Sequence, residues 1–154
     1  MKQEHINPFI ETAGSILEQM TQVPFKMGTA TLRKEPFLSE DVLVSLGIVG
    51  DLKGRVIFSA GRETAKFVAS SMMMGMPLDE LSDMAKSALC ELGNMIMGNV
   101  ATLLFNQGVQ IDITPPTLLT GSNIEVTATN MVTISIPLEA GEHRFVINVS
   151  VKED

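Results

Sequence analysis

The sequence predicts an α+β (α/β two-layer) fold, in which long helices pack on one antiparallel sheet. Two segments repeat apolar residues at helical spacing, residues 5–20 and residues 78–106. Four further segments have the β-branched composition or the apolar–polar alternation of strands, and short turns join them in pairs. These strand segments are residues 42–49, 52–59, 129–138 and 143–151.

The first predicted helix runs from His5 to Met20. Pro8 lies near its start, where the missing N–H costs little, and Val23-Pro24 ends it. The segment from Lys26 to Lys34 that follows looks extended, because it contains β-branched threonines.

Two hairpins supply the long strands. Gly50-Asp51 is a plausible two-residue turn between the first pair, and the loop Glu139-Ala140-Gly141-Glu142 joins the second pair. In the last strand, one set of alternate residues is apolar and the other set includes Asn148 and Ser150. The apolar set is Phe145, Ile147, Val149 and Val151.

Two helices lie between the hairpins. The spacing predicts a helix from Arg62 to Met74 that stops at Gly75 and Pro77. A longer helix then starts near Leu78-Asp79 and runs to about Asn106, roughly 40 Å if it is continuous.

The order of elements suggests a weak internal repeat within one domain, residues 1–154. Each half has a helix, an isolated extended piece and a long hairpin, at about residues 5–60 and 78–151. Two such halves predict one antiparallel sheet with the helices packed on it.

Composition excludes several classes of function. Apolar residues make up 45% of 154 residues, so a substantial core can form, and no stretch has the roughly 18 consecutive apolar residues of a membrane span. A net charge of −7 and the absence of Trp and Tyr argue against nucleic acid as a partner. Cys90, His5 and His143 cannot form a disulfide or a zinc site, which fits the cytoplasm. The 11 methionines fit either core filler or an adaptable contact surface.

The long helix has two distinct faces when its residues are placed at about 100° intervals. Its predicted core face consists of Ala85, Leu89, Leu92, Ile96, Val100 and Leu103. Opposite it lies a row that we call the polar stripe, whose members are spaced 4, 3 and 4 residues apart. The polar stripe is Ser87, Glu91, Asn94 and Gly98.

Three features distinguish the polar stripe from an ordinary solvated face. No Lys or Arg lies near Glu91, so the usual i,i+4 ion pairs are missing. Met95 and Met97 are expected to flank the stripe with exposed or half-exposed apolar area. Asn94 has poor helix propensity, and the glycines at 93 and 98 each cost roughly 1 kcal/mol relative to alanine. One glycine would permit close helix–sheet packing, and the other would let another molecule approach.

The chemistry available to one amide and one carboxylate is narrow. No Ser-His or Cys-His pair is present on this helix, and Cys90 is expected to point away from the stripe into the core. An amide has donor and acceptor groups that can orient a water, as a glutamine does in GTPases. Asn94 could therefore supply a water-positioning amide to a phosphorylated site on another protein, with Glu91 docking onto a cation there.

The motif Ser87-x-x-x-Glu91-x-x-Asn94, followed about 20 residues later by Pro115-Pro116, resembles the signature of the CheC/CheX/FliY phosphatases of bacterial chemotaxis. The string from Glu91 to Asn99, ELGNMIMGN, is similar to the helix of that family. The opening Asn7-Pro8-Phe9-Ile10-Glu11 and the single motif are most similar to the CheX branch.

The resemblance implies an activity and a partner. Such proteins dephosphorylate the aspartyl phosphate of the response regulator CheY, with Asn94 orienting the attacking water and Glu91 pairing with the regulator's lysine. Ser87, Met95 and Gly98 would complete the binding surface. The chain needs no cofactor of its own, because the Mg²⁺ belongs to the regulator.

The resemblance also implies a homodimer built through sheet edges. It implies one active stripe in each chain, since the first helix has Glu11 but Gly14 where an Asn would be required. Two alternatives remain open on the residues alone. The stripe could serve a non-enzymatic adaptor that binds a signalling protein with the Met-rich helix face, or it could be merely solvated.

Overall fold

Three amphipathic helices cover one face of an antiparallel sheet in the computed structural model, which describes residues 2–33 and 36–152. The helices are α1 (Gln3–Thr21), α2 (Arg62–Met72) and α3 (Asp83–Asn106). The first two lie within about two residues of their predicted bounds, the uncertainty usual for helix ends. Helix α3 begins four residues later than the predicted Asp79, because Ser82 Oγ accepts a hydrogen bond from the Ala85 N–H at 3.2 Å.

The described residues form ten strands, and the four long ones are those that the sequence predicts. The strands are β1 (Lys26–Met27), β2 (Thr31–Arg33), β3 (Phe37–Leu38), β4 (Val42–Gly50), β5 (Lys53–Ala60), β6 (Ile111–Ile113), β7 (Thr117–Thr120), β8 (Glu125–Val126), β9 (Val132–Ala140) and β10 (His143–Lys152). The predicted extended segment at 26–34 is two short strands, and its last residue, Lys34, lies outside the described residues.

The sheet order is β1-β9-β10-β5-β4-β6, with β2 also pairing with β9 and β7 also pairing with β4. All described pairings are antiparallel. The β4–β5 hairpin of the first half corresponds to the β9–β10 hairpin of the second. If every strand is replaced by its counterpart in the other half, the same strand order results, read from the opposite edge of the sheet. Each half therefore contributes its short strands to the edge beside the other half's hairpin, an arrangement that agrees with the proposed repeat.

The turn between β4 and β5 needs a glycine. Gly50 has φ +121°, a conformation that residues with a Cβ rarely adopt, and the Gln110 carbonyl oxygen lies 2.6 Å from where a Cβ would be. The next residue fixes the turn, since Asp51 Oδ2 accepts from the Gln110 N–H at 2.8 Å. These contacts fasten the hairpin to the chain that leaves α3.

The hydrophobic core lies between the helices and one set of alternate strand residues, which includes Phe145, Ile147 and Val149. The opposite face of β10 carries Asn148 and Ser150 as predicted, but both side chains are buried. They are hydrogen-bonded there, since Asn148 Nδ2 donates to Ser59 Oγ at 3.3 Å and the Ser150 and Thr133 hydroxyls lie 2.6 Å apart.

Helix α3 is the central element of the helical layer. By length and composition alone it is apolar enough to cross a membrane. Eight of its residues are buried against the sheet and the other two helices, so this helix is part of the hydrophobic core. This packing holds the opposite face of α3 outward.

Candidate functional site

The core face of α3 follows the predicted pattern except at its end. Ala85, Leu89, Leu92, Ile96 and Val100 are buried, but Leu103 is 38% exposed and the buried residue is Leu104. A step of four residues from Ile96 to Val100 to Leu104 drifts around the helix and moves the contact line away from Leu103. The predicted exposure of Met97 is also wrong, because its side chain is fully buried on the same drifting line. Met95 is half-buried, as predicted.

The polar stripe lies on the side of α3 away from this core. Ser87, Glu91 and Gly98 are exposed, and Asn94 is half-buried. Glu91 and Asn94 lie three residues apart, so their Cα atoms are separated by about 4.5 Å along the helix axis. The structure thus presents the carboxylate and the amide side by side, and neither is buried as a purely structural role would require.

The Glu91 carboxylate and the Asn94 side-chain amide have no polar partner within the described part of the chain. Glu91 forms no ion pair and Asn94 forms no side-chain hydrogen bond with any residue in 2–33 or 36–152. The side chain of an asparagine within a helix can bond back to a carbonyl one turn earlier, as Asn99 does through its Nδ2 to the Met95 oxygen at 2.9 Å, whereas Asn94 does not. The Asn94 amide is therefore available to another molecule.

Little side-chain bulk follows Asn94 along the polar stripe. Gly98, one turn later, has no side chain, and Thr102 Oγ1 donates back to the Gly98 carbonyl oxygen at 3.2 Å. Sequence reasoning missed the Thr102 bond, although the tendency of Thr to bond to the carbonyl of residue i−4 was a usable signal.

The two helical glycines have opposite surroundings. A Cβ on Gly93 would lie 3.2 Å from both Leu46 Cδ1 and Val44 Cγ1, so this glycine permits the close helix–sheet packing that the sequence suggested. A Cβ on Gly98 would meet no atom within 4 Å outside the helix backbone. Gly93 is therefore explained by packing, and Gly98 is not.

This contrast predicts opposite effects on stability. Gly93→Leu should lower the free energy of unfolding by about 2–3 kcal/mol, because the adjacent core cavity of about 20 Å³ cannot hold the new side chain. Gly98→Ala should raise it by up to about 1 kcal/mol through helix propensity alone. Urea denaturation measures both, and a Gly93→Leu protein as stable as the native chain would contradict the packing argument.

The site has no enclosed substrate pocket. The interior cavity beside Gly93 has room for about one water and is lined mainly by apolar side chains. Beside the N-terminal part of the stripe, the described surface has an open depression of about 530 Å³, lined by Asp83, Met84, Ser87, Ala88 and Glu91. A substrate protein must therefore supply most of the groups that surround the reacting atoms.

Nucleophilic and metal chemistry find no support at the stripe. Burial raises the pKa of the Cys90 thiol, which disfavours the nucleophilic thiolate, and the Cys90 side chain is half-buried. Across the described residues, no three His, Cys, Asp or Glu side chains are grouped so that they could hold a metal ion.

A further open cleft lies beside α2, where side-chain contacts join this helix to the β9–β10 hairpin. Thr64 Oγ1 lies 3.1 Å from His143 Nδ1, and the His143 ring stacks on Phe67 with centroids 4.2 Å apart. Lys66 is paired with Glu63 at 2.8 Å. The contacts of Thr64 and Phe67 with His143 hold α2 on the β9–β10 hairpin, and the Lys66–Glu63 pair lies within α2.

Comparison with known proteins gives consistent matches. The family model described as chemotaxis phosphatase CheX matches residues 42–139. The CheY-P phosphatase CheX of Thermotoga maritima is 30% identical over 148 residues, which cover 96% of this chain and 95% of that protein.

Solved structures match over nearly the whole chain. The CheX protein in a CheX-CheY-BeF3-Mg²⁺ complex from Borrelia burgdorferi is 30% identical, with a TM-score of 0.83 and coverage of 97% of this chain and 98% of that one. A CheC-like superfamily protein from Shewanella has a TM-score of 0.90 at 23% identity, covering 99% of each chain. This likeness confirms the predicted fold class.

Proposed function

This chain belongs to the CheX family of chemotaxis phosphatases, and we propose that it hydrolyses the aspartyl phosphate of a CheY-like response regulator docked on the polar stripe. The observation that carries the proposal is the Asn94 amide, which is held in the middle of a rigid helix without a partner among the described residues. The name of the Thermotoga relative and the CheY bound in the Borrelia complex support the choice of partner.

Asn94 is the proposed catalytic residue. Its side-chain oxygen accepts a hydrogen bond from a water while its NH₂ group donates to the phosphoryl oxygens, which fixes the water in line with the phosphorus–oxygen bond. The water oxygen attacks phosphorus, the bond to the regulator's aspartyl oxygen breaks, and that carboxylate leaves with the electron pair. The products are inorganic phosphate, which keeps the protons of the water, and the unphosphorylated aspartate side chain of the regulator.

Glu91 is the proposed docking residue. Its exposed carboxylate lacks an ion pair within the described part of the chain, so it can pair with the active-site lysine of the regulator without first breaking another contact. Such complementary charges orient an encounter and fix its register. Ser87, Met95 and Gly98 would form the surrounding contact surface.

The open shape of the stripe favours catalysis in trans. A site without a cleft cannot exclude water or neutralise a phosphoryl group alone, and the regulator would supply the enclosure and the Mg²⁺. The chain then needs no cofactor of its own and would act in the cytoplasm, beside its partner.

The competing function is a non-enzymatic adaptor that binds a signalling protein with the same helix face. Exposed methionines at positions 74, 76 and 84 near the start of α3 favour an adaptable contact surface. Release of phosphate from a labelled regulator, with this protein at a small fraction of the regulator concentration, separates the two. Many turnovers per molecule support the phosphatase, whereas an effect that needs stoichiometric amounts supports the adaptor.

We further propose that the protein is a homodimer joined at the edge formed by β1, β2 and β9. This edge exposes large apolar side chains, with Leu32 72% and Val132 61% exposed, and no strand among the described residues pairs with the outer side of β1 or β2. Light scattering at micromolar concentration should give twice the chain mass of 16.7 kDa. Leu32→Lys should yield monomers, while Leu38→Lys, at an exposed site in β3, should not. A monomeric native protein would reject the proposal.

A further inference from the structure

Gly98 lies on the polar stripe without a local reason to be glycine. Its φ is negative, so no left-handed backbone conformation requires it, and a Cβ there would meet open space. Glycine lowers helix stability relative to alanine at such a position. No contact within the described part of the chain offsets this loss, and Gly98, unlike Gly14 in α1, lies one turn from Asn94 on the polar stripe.

We propose that Gly98 provides the steric clearance that lets the backbone of the phosphorylated regulator reach the turn of α3 carrying Asn94. This inference rests on the proposed phosphatase function and assigns a positioning role within it. Gly98 follows Asn94 by four residues, which places it about 6 Å along the axis and about 40° around the helix.

The direction of helical side chains makes this position critical. Cα–Cβ bonds in an α-helix tilt toward the N-terminus, so a side chain covers the turn that precedes its own residue. Any side chain at position 98 would therefore lean over Asn94. An asparagine amide extends only two rotatable bonds from the backbone, so it cannot reach past such a cover into a partner's pocket.

A further side chain on this side of α3 preserves the same clearance. Thr102 lies one turn after Gly98, and its Oγ1 donates to the Gly98 carbonyl oxygen at 3.2 Å. On the C-terminal side of Asn94, the helix backbone is therefore exposed at Gly98. On its N-terminal side, the Glu91 side chain projects from the helix. A loop of the regulator fits against the exposed backbone at Gly98, and the regulator's lysine fits beside the Glu91 carboxylate.

The test uses variants of graded size at position 98 and a matched glycine elsewhere. Gly14 in α1 also has open space around its Cβ and is not among the residues lining the groove between α1 and α3. Gly98→Leu and Gly14→Leu gain similar helix propensity, so both should melt at or above the native temperature. Gly98→Gln gives a second, polar variant of similar bulk.

Kinetics with a phosphorylated regulator should then separate the two positions. Gly98→Leu and Gly98→Gln should raise KM at least about 10-fold with a smaller change in kcat, and Gly98→Ala should lie between them and the native protein. Gly14→Leu should behave as the native protein does. A Gly98→Leu protein within about twofold of native in kcat/KM overturns the clearance role.

Affinity for a regulator loaded with beryllofluoride and Mg²⁺ keeps the two proposals distinct. Gly98→Leu should weaken this binding by about the factor seen in KM. A native protein that binds the loaded regulator without hydrolysing phosphate overturns the phosphatase proposal alone, and the affinity of Gly98→Leu still decides the clearance role. A native protein that does not bind it overturns both.

Discussion

Asn94→Ala is expected to lower kcat/KM for release of phosphate from the regulator by at least about 100-fold, the effect typical of removing one preorganised polar group from a transition state. Without the amide, no group of this chain holds the attacking water in line with the phosphorus–oxygen bond. The entropy cost of orienting that water then adds to the activation barrier. Binding of the loaded regulator should persist, because Glu91 and the rest of the stripe are intact. Time courses of phosphate release and a binding titration measure the two effects separately.

Two controls make the Asn94 result specific. Alanine has the higher helix propensity and the amide has no partner among the described residues, so Asn94→Ala should unfold at the same or a higher urea concentration. Asn94→Asp keeps the shape but replaces the NH₂ donor with a charge that repels phosphate, and it should be as inactive as alanine. An alanine variant that retains activity within about threefold of native would show that Asn94 does not orient the water.

Glu91→Lys is expected to weaken regulator binding by about 100-fold or more, since like charges placed face to face cost several kcal/mol. The loss should appear in KM and in the titration, and raising the salt concentration should reduce it by screening the repulsion. The value of kcat at saturating regulator should change much less, because Asn94 is still present.

Glu18→Lys is a matched control for the Glu91 substitution. Glu18 is exposed in the last turn of α1, and its replacement by lysine changes the net charge by the same amount. Regulator affinity should stay near the native value in this variant. Equal weakening by both substitutions would indicate a general effect of net charge instead of a contact made by Glu91.

The long elements of the fold were predictable from the sequence because their local signals agree with their tertiary surroundings. The apolar spacing of α1 and the alternation in β10 both match the faces that the structure buries. The start of α3 was not predicted, because Asp79 and Ser82 are both good N-caps and only the bond from Ala85 N–H shows which one is used. Periodicity continued backward through residues 78–82, where Leu78 and Leu81 pack on the core without helical structure.

The short edge strands were beyond sequence reasoning for a different reason. Strands of two to four residues such as β1 and β7 have too few side chains to establish a pattern, and their pairing with β9 and β4 is fixed by distant parts of the chain. The burial of Asn148 and Ser150 was missed similarly, since polar residues on alternate positions normally indicate a solvated face.

Helix geometry alone puts Ser87, Glu91, Asn94 and Gly98 in one row, so their arrangement could be predicted from their spacing in the sequence. The structure adds what spacing cannot show, namely that Asn94 lacks a hydrogen-bond partner in the described chain while Asn99 has one. It also corrects Met97, which the drift of the core line along α3 buries. Less apolar surface therefore flanks the stripe than the sequence suggested, because Met95 is half-buried and Met97 is buried.

A crystal structure of this protein bound to a regulator loaded with beryllofluoride and Mg²⁺ would test the central claim most directly. We predict that α3 covers the regulator's active site, with the Asn94 amide about 3 Å from a water in line with the beryllofluoride group. Glu91 should pair with the regulator's lysine, and the regulator backbone should lie against Gly98. A complex in which the regulator binds elsewhere and the polar stripe faces solvent would contradict the account.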